Sequence, residues 1–120
     1  MSLPEEAAAL LDLEHLDRLG HNPKGLRELI DAFLHTTEPI LDELERATRR
    51  QNETEFRQIL HALIGAATSV GARTLADGCK ALAQRREPEG RAATLRDLAA
   101  CFRQTRVVLM TFANALPAET

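Results

Sequence analysis

At 120 residues and 13.3 kDa the chain is long enough for one hydrophobic core and too short for two ordinary domains. A net charge of -3 and a pI near 5.8 give no bulk electrostatic attraction for nucleic acid or an anionic membrane, and neither is expected as a partner. Alanine and leucine are abundant, Trp and Tyr are absent, and β-branched runs are scarce, which favours an all-α fold. Cys79 and Cys101 lack CxxC spacing and sit among apolar neighbours, as reduced packing residues would. The N-terminal stretch MSLPEEAAALLDLEHL has no basic lead and no apolar run long enough for a signal peptide or a membrane span. A soluble, cytoplasmic chain without direct membrane contact is expected, although a module cut from a membrane-anchored protein would read the same way.

The first element, Asp12 to Leu19, sets Leu13, Leu16 and Leu19 at helical spacing and stops at the turn segment GHNP, Gly20 to Pro23. From Lys24 to about Arg50 a second stripe runs through Leu26, Leu29, Ile30, Phe33, Ile40, Leu41 and Leu44. Pro39 interrupts this stripe without changing its register, which predicts one long helix bent just before the proline. Asn52 is placed to cap a third helix, with Glu53 and Glu55 in its first turn and Phe56, Ile59, Leu60, Leu63, Ala67 and Val70 along its apolar side. Gly71 supplies its stop. Leu75, Cys79 and Leu82 line a fourth helix, the polar stretch RREPEG from Arg85 to Gly90 reads as a loop, and a fifth helix is expected from near Ala92 to Leu116. The four longer helices can hide their stripes only against one another. The expected architecture is therefore an antiparallel up-and-down four-helix bundle over residues 12–116 with a short additional N-terminal helix, flanked by an extension over 1–11 and a tail over 117–120.

One segment of the third helix stands apart, His61-Ala-Leu-Ile-Gly65. Stepping about 100° per residue puts His61 roughly 150° from the centre of the stripe made by Phe56, Leu60, Leu63 and Ala67, so the imidazole faces water. Gly65 and Thr68 lie near it on the outer surface, Gln58 is one turn back, and Arg57 and Ile64 flank it. A glycine in a helix interior is less favourable than alanine by about 1 kcal/mol and asks for a reason. On spacing alone the plain reading is a solvated histidine beside a tolerated glycine or a close helix contact. The functional one is a partner that must reach the imidazole closely.

The run from His61 through Ala72, continuing to Leu75, Cys79 and Leu82, resembles the histidine-containing phosphotransfer (HPt) family, whose pattern is approximately HxLKG(S/A)xxxxGAxxLxxxCxxL. The spacing is met without insertion, and a looser likeness extends from Asp12 to Leu116. The resemblance implies a phosphocarrier of a two-component phosphorelay. His61 would accept a phosphoryl group, at Nε2, from the aspartate of a response-regulator receiver domain and pass it to another receiver. Such a carrier has no ATP-dependent kinase activity and no cofactor of its own, Mg2+ being brought by the receiver. It can be free-standing or act in cis with a histidine kinase and receiver, and an isolated domain would be monomeric. Neutral imidazole is a competent nucleophile near neutral pH, so no buried base is needed. No Gly-rich nucleotide loop, zinc spacing or triad-like cluster is legible in the chain.

The chain departs from the family pattern at Ile64, where a lysine is usual. Isoleucine neither hydrogen-bonds nor neutralises a phosphoryl group, but it enlarges an apolar docking patch. Arg57, Lys80 and Gln84 are the candidates for supplying polar contacts there, and Gln58, Ile64, Gly65 and Thr68 for touching the partner. The alternative function is a phosphotransfer-deficient docking module that keeps the HPt fold. His15, His21 and His35 fall on separate segments without metal-ligand spacing and read as surface residues. Glu38, Asp42, Glu43 and Glu45 read as the wet face of a helix, and Cys79 as a packing residue without a redox role.

Overall fold

Capping chemistry sets where each helix begins. In a computed structural model that describes residues 9–117, Asp12 opens α1 (Leu13–Leu19) by accepting from the His15 amide at 3.1 Å. Asn22 opens α2 (Pro23–Arg49) in the same way, with Pro23 in the first turn where no amide is needed. Asn52 opens α3 (Glu53–Ser69): its Oδ1 accepts from the Glu55 amide at 3.1 Å while its Nδ2 donates to Glu55 Oε2 at 3.0 Å. Two more helices follow, α4 (Arg73–Ala83) and α5 (Pro88–Ala115), and no strand occurs among the described residues. Residues 1–8 of the expected N-terminal extension and 118–120 of the expected tail lie outside the described residues.

The ends of α2 and α3 share one device. After α3, Gly71 takes φ +71°, its amide donates to the Thr68 carbonyl at 3.1 Å, and the Ala72 amide reaches the Ala67 carbonyl at 2.8 Å. This Schellman arrangement satisfies carbonyls that the helix leaves open. After α2, Gln51 adopts φ 55° with the same two bonds, Gln51 to Thr48 and Asn52 to Ala47. A non-glycine residue there stands in the left-handed region against its own Cβ. Asn52 thus closes one helix and opens the next.

The last helix starts earlier than its apolar stripe suggests. α5 begins at Pro88, four residues before Ala92, which shortens the expected loop to residues 84–87. Proline is pre-set for a first helical position, and Glu87 before it is extended (φ -86°, ψ 138°), as a residue preceding proline must be. Pro39 lies inside α2, which continues through it, on the exposed side of the helix.

Four long helices form a closed ring of contacts: α2 packs on α3, α3 on α4, α4 on α5, and α5 back on α2. Leu44, Phe56, Leu60, Leu63, Leu75, Leu82 and Leu109 are at most 2% exposed in the core between them. Phe33 of α2 meets Phe102 of α5 edge-on, 6.2 Å between ring centres. Leu10 and Leu11, on the extension side of residue 12, are buried in the same core. α1 lies against the C-terminal end of α3, where the Asp12 amide donates to the Gly71 carbonyl at 2.7 Å and His15 Nε2 donates to the Ser69 carbonyl at 3.0 Å. His15 is therefore a half-buried fastener and not the free surface group its isolation in the sequence suggests. Buried Thr37 and Thr48 satisfy their hydroxyls on carbonyls one turn back, at 2.7 and 2.8 Å, which lets polar side chains sit in the core.

Candidate functional site

α3 divides cleanly into an inner and an outer face. Phe56, Leu60, Leu63 and Ala67 are buried, while Gln58, His61, Gly65 and Thr68 are exposed, so helical periodicity carries the imidazole outward. Ile64 is intermediate, packed on the edge of the core with part of its surface open. Thr68 donates its hydroxyl to the Ile64 carbonyl at 2.8 Å and Ser69 to the Gly65 carbonyl at 3.0 Å, which turns both hydroxyl protons into the helix.

The three helix-associated glycines near this region have different physical reasons. A Cβ on Gly78 would stand 2.7 Å from Leu98, so that glycine permits close approach of α4 and α5. Gly71 has its positive φ. A Cβ on Gly65 would meet nothing within 4 Å. Neither internal packing nor backbone conformation calls for a glycine at 65, and the close helix contact considered for it is absent. What Gly65 leaves is a bare stretch of backbone one turn from an exposed imidazole.

α4 packs beside α3 and carries Lys80 and Gln84, both exposed, Gln84 at the helix end. Arg57 does not stand free beside His61: its Nε donates to Glu53 Oε1 at 2.8 Å, one turn toward the helix start. Glu53 is also gripped by Arg91 of α5, through NH1 to Oε2 at 2.7 Å and NH2 to Oε1 at 2.9 Å. These guanidinium contacts, the Arg91 hydrogen bonds foremost, hold the Glu53 carboxyl down to about 2, against an ordinary value of 4.5. Arg91 is itself buried, stacked 4.1 Å over the Phe56 ring, with Nε donating to the Arg85 carbonyl at 2.8 Å. The sequence reading missed this clamp. Its one signal is register, because Arg91 stands four residues before Leu95 and seven before Leu98, on the buried side of α5.

The remaining candidates are dispersed. His21 and His35 are exposed, and His35 Nδ1 donates to the Asp31 carbonyl at 3.0 Å. Glu38, Asp42, Glu43 and Glu45 are exposed along α2, and Glu38 pairs with Arg106 at 3.6 Å. Burial pushes the Cys79 thiol up to about 12 and raises that of Cys101, which keeps both away from the reactive thiolate form. Among the described residues no group of three or more His, Cys, Asp or Glu is placed to hold a metal ion. An apolar groove between α2 and α5, over Leu41, Leu95 and Ala99, is lined without His61, as is another over Leu10, Val107 and Val108. His61 itself is exposed on the outer face of α3.

The described residues form an all-helical fold that presents His61 on the outer face of α3, with Gly65 one turn on. Residues 28–108 match the family model for the Hpt domain, two thirds of the chain, from within α2 to within α5. The chain belongs to the Hpt family: phosphotransfer modules of phosphorelay signalling, which interact with response-regulator receivers and carry phosphoryl groups without being kinases. Comparison with curated proteins and with solved structures returns no match. No helix among the described residues is long and apolar enough to cross a membrane.

Proposed function

We propose that His61 is the phosphoacceptor of a receiver-to-receiver phosphorelay, and that the face made by Gln58, Ile64, Gly65, Thr68, Lys80 and Gln84 is where the receiver docks. The observation that carries this reading is the pairing of an exposed His61 with a Gly65 whose absent side chain leaves open space. In the forward step the Nε2 lone pair bonds to phosphorus as the bond from phosphorus to the receiver's aspartate oxygen breaks. The electron pair leaves with the carboxylate, and Nδ1 keeps its proton. Charge neutralisation on the phosphoryl oxygens at that moment belongs to the receiver and its Mg2+, and this chain uses no cofactor of its own. Its contribution is position: a rigid helix holds the ring, and Gly65 lets the receiver's loop approach to reacting distance.

The bundle is read as antiparallel and up-and-down over residues 12–116, acting as a monomer in the cytoplasm. Opposed pairs along two helices support that topology: Arg27 near the start of α2 donates to the Leu116 carbonyl just past the end of α5, at 3.2 Å, and Glu38 further along α2 meets Arg106 further back on α5. The test is label transfer from a phosphorylated receiver to the chain and on to a second receiver. Wild type takes and returns the label, and His61→Gln takes none. A wild type that binds the receiver yet takes no label is instead the docking module that Ile64 allows.

A further inference from the structure

Glu53 is shared unequally between two arginines. Arg91 bonds both carboxylate oxygens, whereas Arg57 reaches only Oε1. Arg91 is held on three sides, by Glu53, the Phe56 ring and the Arg85 carbonyl, and its side chain is 9% exposed. Arg57 is 46% exposed, and the Glu53 contact is its one ion pair among the described residues. Exposed pairs four residues apart on a helix are weak and remake readily. If Arg57 leaves, both oxygens of Glu53 remain bonded to Arg91, so the carboxylate is not stranded.

Helix geometry gives Arg57 a second place to go. Side chains lean toward the helix N-terminus, a rule that carries a group on His61 toward the turn of Arg57 and Arg57 itself onto Glu53, so Arg57 must swing back one turn to meet it, while Glu53 stands about 12 Å from His61 along the axis. A phosphoryl group on Nε2 would bring several anionic oxygens within reach of a guanidinium, which binds such groups through two parallel N–H donors. Ile64, three residues after His61, brings no charge to that place. We propose that Arg57 is the phosphoryl-binding cation of this domain, released from Glu53 to the phosphoryl oxygens when His61 is loaded, with Arg91 keeping Glu53 neutralised. The proposal rests on the phosphocarrier reading of His61.

Phosphoramidate, a small-molecule phosphoryl donor, loads the full chain, and phosphorus NMR follows each phosphohistidine signal. The His61 signal is the one that His61→Gln lacks. Arg57→Ala shortens its half-life about threefold at low salt, the scale of one exposed charge contact, and the difference narrows as salt is added. Adding Ile64→Lys to Arg57→Ala restores the half-life, because the lysine leans back over His61 from the next turn. An unchanged half-life in Arg57→Ala overturns the role of Arg57 and leaves the carrier reading intact. A shortened half-life that the lysine does not restore overturns it as well, since the lost property is then not charge. If His61→Gln removes no signal, the carrier reading itself falls.

Discussion

Replacing Gly65 by alanine should separate folding from function, because the two respond with opposite sign. Gly65 is exposed in the interior of α3, twelve residues past its first, and an added Cβ meets nothing within 4 Å. The fold therefore gains the full helix-propensity difference of about 1 kcal/mol with no packing cost. For a chain of this length that raises the melting temperature by about 4 °C. On the docking proposed for the His61 face, the same methyl would occupy the clearance beside the imidazole. A displacement of the reacting atoms by even part of a methyl diameter slows transfer on the order of 10- to 100-fold. Circular dichroism melts and the rate of label transfer from a phosphorylated receiver, measured on the same preparation, read both effects. Gly71→Ala is the internal contrast. At φ +71° its Cβ is strained and would stand 3.1 Å from Leu16 Cγ, so it lowers stability by about 1–2 kcal/mol. A Gly65→Ala protein that melts lower than wild type, or one that accepts phosphoryl groups at the wild-type rate, would refute the account of Gly65 as clearance.

Arg91→Ala removes a bidentate ion pair and a cation–π contact, but Glu53 is half exposed and can rehydrate. The expected loss is about 2 kcal/mol, below that of a fully buried pair, read as a lower urea midpoint. Glu53 binds its proton at about 2 when folded and at an ordinary 4.5 when free, so its contribution to stability is present above 4.5 and is lost as pH falls toward 2. In Glu53→Gln that part of the acid limb of the stability profile should flatten; a profile that parallels wild type across this window would show that the clamp does not set it. Gln51→Gly relieves the left-handed strain at φ 55° and should stabilise by about 0.5–1 kcal/mol in chemical denaturation, while the same change at neighbouring Arg50, which has an ordinary helical backbone, should not.

Much of this molecule is written in local rules. The stripe of Phe56, Leu60, Leu63 and Ala67 alone turns His61 outward, since a helix repeats every 3.6 residues whatever it packs against. Asn52 and Gly71 mark the ends of α3 because a side-chain acceptor and a left-handed backbone are chemical capacities of those residues. The motif beginning at His61 is legible through its resemblance to the Hpt pattern, whose spacing the chain meets without insertion. Two boundaries are not. Pro88 starts α5 before its apolar stripe begins, and Gln51 takes a glycine's conformation with no glycine to announce it, because the chain must leave α2 and enter α3 within three residues.

What the tertiary structure alone decided lies between helices. Arg57 and Glu53 share a helix face in the sequence. Nothing local reveals that Arg91, 38 residues beyond Glu53, folds back to take both carboxylate oxygens. Glycines show the same limit: Gly65 and Gly78 both sit inside helices, yet one faces open space and the other faces Leu98. Spacing along a chain fixes direction about a helix axis. What a side chain meets in that direction depends on where the next helix lies, and burial and long-range ion pairs are settled only there.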